Sequence, residues 1–128
     1  MSSKNAPSPA NQLTSDIINF FYAQSPRIYA FRQSGLPVPM VNEGVFVGFR
    51  PPATTGIPDI QACIPAGVCA LYPRGGGSLF VEVKIGKDRI RDSQETFIAN
   101  VAACGVDTLI VKSMEDFLKQ YNLWVKSY

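Results

Sequence analysis

Three charged residues in the middle of the sequence stand out because apolar residues surround them. Asp59 ends the turn Gly-Ile-Pro-Asp, and Glu82 and Lys84 alternate with apolar residues in the stretch 79–85. That alternation places Glu82 and Lys84 on one face of a predicted strand. Two carboxylates and an ammonium group brought together in this way can bind a divalent cation and activate a water molecule.

Each of these signals also has a plainer explanation. Pro-Asp turns are common for conformational reasons alone, and a Glu and a Lys two residues apart often form an ion pair on an exposed strand face. The combination favours a site if the chain returns from Asp59 to bring this residue beside Glu82. Two carboxylates about 4 Å apart repel by roughly 4 kcal/mol at an effective dielectric of about 20, and a divalent cation turns that repulsion into attraction.

The sequence contains no histidine, which removes every mechanism that uses an imidazole base or ligand. Carboxylate oxygens without imidazole favour Mg²⁺ or Mn²⁺ over zinc, and the backbone carbonyl of Val83 is a candidate for a further ligand. Lys84 is then expected to orient or deprotonate the attacking water, or to stabilise negative charge that develops on a phosphate.

These residues have to be positioned by regular elements, which the apolar spacing predicts along the chain. The pattern predicts an α/β fold with a mixed central sheet flanked by helices, in which the strands before and after the middle helix are parallel. The helix at 93–104 begins with a cap at Asp92 and a Glu at 95, and a loop carries Pro37 and Pro39. The predicted helices cover 12–24, 93–104 and a segment after Ser113, and the predicted strands cover 27–32, 45–49, 59–64, 68–72, 79–85 and 107–112.

Composition indicates one small domain. The chain has 128 residues, of which 46% are hydrophobic and 17% charged, so 12–128 is expected to form a single domain and 1–11, rich in Ser, Pro, Asn and Ala, a mobile tail. No apolar run suits a bilayer or a secretory signal, so a cytosolic protein is expected. The three cysteines are expected to be reduced and mostly buried. A net charge of +2 permits a nucleic-acid partner without arguing for one.

Four short motifs in order resemble the VRR-NUC family, the virus-type replication and repair nucleases of the PD-(D/E)XK superfamily. They are Gly-Ile-Pro-Asp at 56–59, Phe-Val-Glu-Val-Lys at 80–84, Ser-Gln at 93–94, and Cys-Gly-Val at 104–106 followed by a strand. The resemblance covers about residues 12–118 and implies a restriction-endonuclease-like fold. It also implies Mg²⁺- or Mn²⁺-dependent cleavage of DNA, and a homodimer that acts on branched DNA such as Holliday junctions.

The resemblance also assigns roles to individual residues. Asp59 and Glu82 match the metal-binding acids, Lys84 the catalytic lysine, and Gln94 the helix glutamine beside the site. The spacing of Gln94 from the apolar residues of its helix independently predicts that its amide faces the strand carrying Glu82, although a residue at a helix start can equally be solvent-exposed.

Further residues of the predicted site are less directly matched. The family has a glutamate in the first helix that contributes to the metal site, and Asp16 is the nearest substitute here, although an acid at this position can equally serve only the helix dipole. Arg32 resembles an arginine of the family's loop before the active-site strand. Lys87, Arg89 and Arg91 follow the catalytic strand and are expected to track the DNA backbone. Solvated surface charge is the alternative for all four cations.

Two classes of function therefore stay open at the level of sequence. The first is a structure-selective DNA endonuclease, encoded by a bacterial or archaeal cell or by a virus, and a variant of it acts on duplex ends, nicks or single strands. The second is a non-catalytic nucleic-acid-binding or assembly module that retains the fold. Binding of a divalent metal distinguishes the two, because a purely structural module has no reason to keep two carboxylates side by side.

Overall fold

A computed structural model of the chain describes residues 7–33, 38–50, 55–68 and 76–127. These ranges form helices and strands in alternating blocks, with the middle of the chain mostly in strands. In chain order the elements are α1 (Pro9–Tyr22), β1 (Tyr29–Arg32), β2 (Val38–Asn42), β3 (Val45–Arg50), β4 (Ile60–Ile64), β5 (Gly77–Val83), α2 (Asp92–Ala103), β6 (Asp107–Val111) and α3 (Met114–Lys126).

The central sheet has the strand order β1-β4-β5-β6. Strand β4 is antiparallel to both β1 and β5, whereas β5 and β6 are parallel and joined through α2. The predicted mixed sheet flanked by helices is therefore confirmed, as is the parallel pairing across the middle helix. Because β5 is an inner strand, its two edges are both hydrogen-bonded and its side chains lie deep in the domain.

The core lies between one face of this sheet and the helices α1 and α3. Alternate residues of β5, among them Leu79 and Val81, are fully buried on that face. The two helices meet through aromatic rings: Phe117 packs edge-on against Phe20 and Phe21 and stacks on Tyr121. The opposite face carries Phe80 and Glu82 and, just past the end of β5, Lys84, so the charged pair lies on the side that the core between the sheet and α1 and α3 does not occupy.

Helix α1 starts three residues earlier than the sequence predicted. The hydroxyl of Ser8 accepts a hydrogen bond from the Asn11 amide, and Pro9 occupies the first turn, where its fixed φ suits a helix. Residues 9–11 of the expected tail are thus helical, and residues 1–6 lie outside the described residues. The segment predicted as a loop around Pro39 instead forms β2, which pairs with β3 in a separate two-stranded sheet.

Two smaller expectations also change. Cys63 and Cys104 are free but exposed, so the prediction of buried thiols is wrong for both, and Cys69 lies outside the described residues. Cys63 occupies a position of β4 that points away from the core, and Cys104 caps the end of α2. Most of the predicted strand at 68–72 is likewise outside the described residues. In the part of the chain that is described, no helix is long and apolar enough to cross a membrane.

Phe117 should contribute strongly to stability because it is fully buried and contacts three other rings. We expect Phe117→Ala to lower the free energy of unfolding by about 3–5 kcal/mol, the range for loss of a buried aromatic side chain. Urea unfolding measures this change. Leu123→Ala on the same helix is the control, since Leu123 is 60% exposed and should change stability by less than about 0.5 kcal/mol. Equal effects of the two substitutions would contradict the packing described.

Candidate active site

The pairing of β4 with β5 brings Asp59 next to Glu82. Ile60 on β4 lies opposite Val81 on β5. In an antiparallel pair, Asp59, which precedes Ile60, is therefore the neighbour of Glu82, which follows Val81. The amide of Val83, the residue after Glu82, donates a hydrogen bond of 2.8 Å to Oδ2 of Asp59, so the Asp59 carboxylate lies against this part of β5. The expected return of the chain toward Asp59 is thereby confirmed.

Glu82 and Lys84 are buried charged residues. They are only 2% and 8% exposed, and Lys84 Nζ lies 4.0 Å from Glu82 Oε1. The Lys84 amide donates to the Val111 carbonyl at 2.9 Å, which continues the pairing of β5 with β6 past the end of the strand. The exposed strand face proposed as the plainer explanation is therefore wrong, and the pair belongs to the interior.

Burial raises the pKa of the Glu82 carboxyl to about 8, helped by a hydrogen bond that the protonated Glu82 donates to Asp59 and by the negative charge of Asp59. Lys84 and Arg91 oppose this rise of the pKa with their positive charges. A hydrogen bond between two carboxyl groups requires a proton on one of them. The raised pKa therefore favours a metal-free pair that shares one proton over two carboxylates.

Gln94 links this pair to the first turn of α2. Its amide nitrogen donates to Glu82 Oε2 at 3.2 Å, and its Oε1 accepts from the Arg91 amide at 2.9 Å. The inward orientation predicted from the spacing is confirmed. The helix starts one residue earlier than expected, with Arg91 as its cap, so Gln94 rather than Glu95 fills the third position and closes the capping interaction.

Gly56 packs against the same helical turn, a contact that sequence reasoning missed. A Cβ built on Gly56 would clash with the Ser93 carbonyl oxygen and lie 2.7 Å from the Gln94 nitrogen, and φ is +77°. Both the contact and the dihedral angle require glycine. The turn at 56–59 thus delivers Asp59 and also fixes where α2 begins. A glycine three residues before the acid was the available signal, but it indicated only a turn.

Asp16 is not brought into this centre. Its Oδ1 accepts a hydrogen bond from the Gln12 side chain at 2.9 Å within α1. Among the described residues, which include Asp16, Asp59 and Glu82, no three or more Asp, Glu or Cys side chains are grouped closely enough to hold a metal ion. The structure therefore assembles a pair of acids and not the triad expected from a first-helix carboxylate.

Arg32 lies beside the site at the end of β1, opposite Ile60. Its guanidinium is exposed and donates to the Asn11 side chain at 2.8 Å. The next residue, Gln33, was not singled out from sequence, yet its amide donates to the Asp59 carbonyl at 2.8 Å. This backbone bond extends the pairing of β1 with β4 up to the aspartate of the acid pair, and a glutamine in a loop gives no sequence signal for it.

Lys87, Arg89 and Arg91 are exposed in the segment between β5 and α2. This segment comes shortly after Lys84 in the chain. It therefore starts at the end of the sheet where β5 and β1 finish and β4 begins. Arg91 is close enough for its charge to lower the pKa of Glu82. The structure thus places Arg32 at the strand end next to Asp59 and Arg91 near Glu82, while Lys87 and Arg89 lie in the connection between β5 and α2.

The donor set fits a small hard cation. Asp59 and Glu82 offer carboxylate oxygens, and Mg²⁺ and Mn²⁺ accept such ligands while retaining several waters. Two protein carboxylates therefore suffice without a third. The Val83 amide is engaged by Asp59, and its carbonyl stays a predicted ligand. The charge of a bound cation would also stabilise the ionised form of Glu82 against its burial.

The fold is restriction-endonuclease-like. Its mixed sheet carries an acid just before β4 and a Glu-x-Lys pair at the end of the neighbouring strand β5. The family model described as the VRR-NUC domain matches residues 53–115, from before the Asp59 turn to the first turn of α3. This match covers Asp59, Glu82, Lys84 and Gln94, confirms the resemblance to VRR-NUC nucleases and indicates a nuclease-type function. Comparisons with curated proteins and with solved structures gave no significant match.

Two glycines with the same backbone handedness test the contact between the turn and α2. Gly56 has φ +77° and Gly67 has φ +84°, but only at Gly56 would an added Cβ have other atoms within 4 Å. We expect Gly67→Ala to lower the free energy of unfolding by about 1–2 kcal/mol through its left-handed backbone. Gly56→Ala should lower it further and increase amide exchange in the first turn of α2. Equal losses of stability would show that the turn does not constrain the helix.

The raised pKa of Glu82 predicts how the stability of the metal-free protein depends on pH. Because the folded state binds this proton more tightly, the contribution is fully present below the unfolded value of 4.5 and is lost as the pH rises toward about 8. In chelator, the free energy of unfolding of wild type should fall relative to that of Glu82→Gln between pH 5 and pH 8. Urea titrations across this range measure the difference, and a difference independent of pH would contradict the shift.

Proposed function

We propose that this chain is a Mg²⁺- or Mn²⁺-dependent DNA endonuclease whose centre consists of Asp59, Glu82 and Lys84. The observation that carries the proposal is the pair of the half-buried Asp59 and the buried Glu82 carboxyls, with the Lys84 ammonium 4.0 Å from Glu82. Burying Glu82 and Lys84 beside a second, half-buried acid is unfavourable unless something compensates. A hydrolytic metal site compensates for this cost and gives a reason for the presence of Asp59, Glu82 and Lys84 together.

Each side chain has a separate task in this proposal. When bound, the metal polarises the phosphate and lowers the pKa of a water molecule. Asp59 and Glu82 hold it, with Asp59 positioned by the Val83 amide and Glu82 by the Gln94 amide. Lys84 orients the attacking water and stabilises the negative charge that develops on the phosphate oxygens. Glu82 must release its proton before it can act as a ligand.

Arg32, Lys87, Arg89 and Arg91 are proposed to bind the DNA backbone. Phosphate contacts of this kind set the position and register of a duplex without reading its sequence. Because these cations lie at, or in the segment that leaves, the end of the sheet that carries the acids, a DNA strand bound by them would pass the acid pair. Selectivity would then depend on DNA shape, which favours branched substrates such as four-way junctions. Two cuts in such a junction call for a homodimer.

A non-catalytic nucleic-acid-binding or assembly module is the second candidate. It is favoured by the absence of a third acid near Asp59 and Glu82 among the described residues. Such a module would bind DNA through the same cations but would have no use for Lys84 in the interior. The two candidates therefore differ in metal binding and in cleavage.

Cleavage of a labelled four-way junction and of a matched linear duplex tests the proposal, with Mg²⁺, with Mn²⁺ and with chelator. We expect metal-dependent cutting that falls by at least about 10²-fold in both Asp59→Asn and Lys84→Met, because each removes a group that acts on the reacting phosphate. Asp88→Asn and Lys112→Met are the matched controls, since both side chains are exposed and should leave the rate unchanged.

The outcomes separate the candidates. Cutting that disappears in chelator and in both site variants supports the endonuclease. Tight binding of the junction without cutting under any metal favours the non-catalytic module. Cutting of the junction and the linear duplex at equal rates would support the nuclease assignment but contradict selectivity for branched DNA.

A further inference from the structure

Two aromatic side chains of β1 lie on the face of the central sheet that carries the acids. Tyr29 and Phe31 alternate along β1 with a fully buried alanine, so they point away from the core. Phe31 lies opposite Gln61 on β4, and Gln61 lies opposite Phe80 on β5. Side chains paired in this way share one face of the sheet, and Glu82 follows Phe80 on that face. The two rings and the acid pair therefore belong to one continuous surface.

Helix α2 covers only one side of this surface. Among the described residues, α2 contacts the sheet along β6, and its Phe97 ring packs edge-on against Phe80 with the centroids 5.2 Å apart. Helix α1 contacts β1 and β4, but from the core face. Over β1 and β4 no described helix or strand lies on the face with the acids, and Tyr29 is 59% exposed. This half of the surface is therefore open in the described part of the chain.

The rings form a row that begins at the free edge of the sheet. The centroids of Tyr29 and Phe31 are 5.6 Å apart, and the Tyr22 ring of α1 lies 6.2 Å from that of Tyr29. The Tyr22 hydroxyl donates to the Ala30 carbonyl at 2.8 Å, which fixes this ring against β1. The Arg27 guanidinium lies over the Tyr22 ring, 5.9 Å from its centroid. Tyr22, Tyr29 and Phe31 together are called the aromatic platform below.

The spacing of the aromatic platform suits bases that are not stacked on one another. The bases of one strand in a duplex follow each other at about 3.4 Å. Two rings with centroids 5.6 Å apart can each receive a base only if the bases are spread further than this, as an unpaired strand allows. Aromatic side chains on the open face of a β-sheet bind unpaired bases in this way in other proteins.

The polar groups around the aromatic platform favour nucleic acid over an apolar protein partner. Residues 22–33 contain Arg27 and Arg32 and no Asp or Glu, and β4 contains no charged residue. Beside the rings, the Gln33 side-chain amide donates to Oε1 of Gln61 at 2.8 Å. Arginines bind phosphates, and side-chain amides hydrogen-bond to base edges. A protein that covered the rings as an apolar patch would have to bury this amide pair as well, at a cost in desolvation.

We propose that the aromatic platform binds an unpaired DNA strand, with Tyr29 and Phe31 as the residues on which bases stack. Neighbouring residues on one face of a strand are about 7 Å apart, so Asp59 lies about this distance along β4 from the residue opposite Phe31. A DNA strand bound on the platform therefore leads directly to the acid pair. Binding itself does not depend on cleavage. Only the consequence that the platform selects DNA that is unpaired beside the cut rests on the proposed nuclease.

Binding of short DNA in chelator tests the aromatic platform in the absence of cleavage. Fluorescence anisotropy compares the affinity of the full wild-type chain for a labelled oligothymidine with its affinity for a duplex of the same length. Tyr29→Leu should lower the ratio of single-strand to duplex affinity by about 5-fold or more, because it keeps an apolar side chain but removes a ring that stacks on a base. Tyr29→Phe keeps the ring and should retain the wild-type ratio.

The matched control for these variants is Leu123→Ala. Leu123 is an apolar residue of α3 that is 60% exposed, and its loss should leave the ratio unchanged. Circular dichroism should show that the Tyr29 variants are folded, since Tyr29 lies outside the core. A ratio that is unchanged in Tyr29→Leu, or a wild-type chain that does not bind the single strand, would overturn the platform.

Photochemical crosslinking locates the bound strand without any substitution. An oligothymidine that carries 5-iodouracil in place of thymine is irradiated with the wild-type chain in chelator, and mass spectrometry identifies the modified residues. Crosslinks should form at Tyr29 or Phe31. Crosslinks found only outside residues 22–31 would contradict the proposal.

Failure of this proposal is distinguishable from failure of the proposed function. A chain that binds the single strand through Tyr29 but cuts no DNA supports the aromatic platform and removes the endonuclease. A chain that cuts the four-way junction, but whose affinity ratio does not respond to Tyr29→Leu, overturns the platform alone.

Discussion

The contact between the carboxyl groups of Asp59 and Glu82 is the constraint around which the domain is arranged. It requires β4 and β5 to pair in one register, because a shift by one residue would turn Glu82 into the core and a valine into the site. It also requires neighbours that tolerate a buried proton or charge, which the Gln94 amide and the Lys84 ammonium provide. The apolar face of β5 can then pack against α1 and α3 without interference from charge.

Much of this arrangement could be predicted because it depends on local periodicity. The alternation in β5 was strong enough to place Glu82 and Lys84 on one face, and the helical spacing after Gln94 gave its inward orientation. The return from Asp59 to Glu82 was also predictable, since an apolar strand that follows a turn has few places to pair except its neighbour. Roles for the individual residues came from the family resemblance and stay proposals.

What could not be predicted depends on contacts between distant parts of the chain. The clash at Gly56 arises from a helix that begins far along the sequence, and no local pattern announces it. The backbone bond from Gln33 to Asp59 is equally invisible, because any residue can make it. Strand β2 was missed because Pro39 is typical of loops, although an edge strand of a two-stranded sheet tolerates proline. Asp16 was proposed by substitution for a missing glutamate, and helix geometry did not bring it to the other acids.

Helix α2 has no fully buried residue, and its start is tied to the site by Gln94 and Gly56. The ordering of α2 and ligand binding at the acid pair are therefore thermodynamically coupled. Any ligand that holds Glu82 in place also holds the Gln94 side-chain amide in the first turn of the helix. Because α2 has no fully buried residue and its first turn is held by Gln94 and Gly56, the order of the helix depends on the contacts made at that turn. Recognition at the acids would thus be transmitted along α2 toward β6, the strand that this helix contacts.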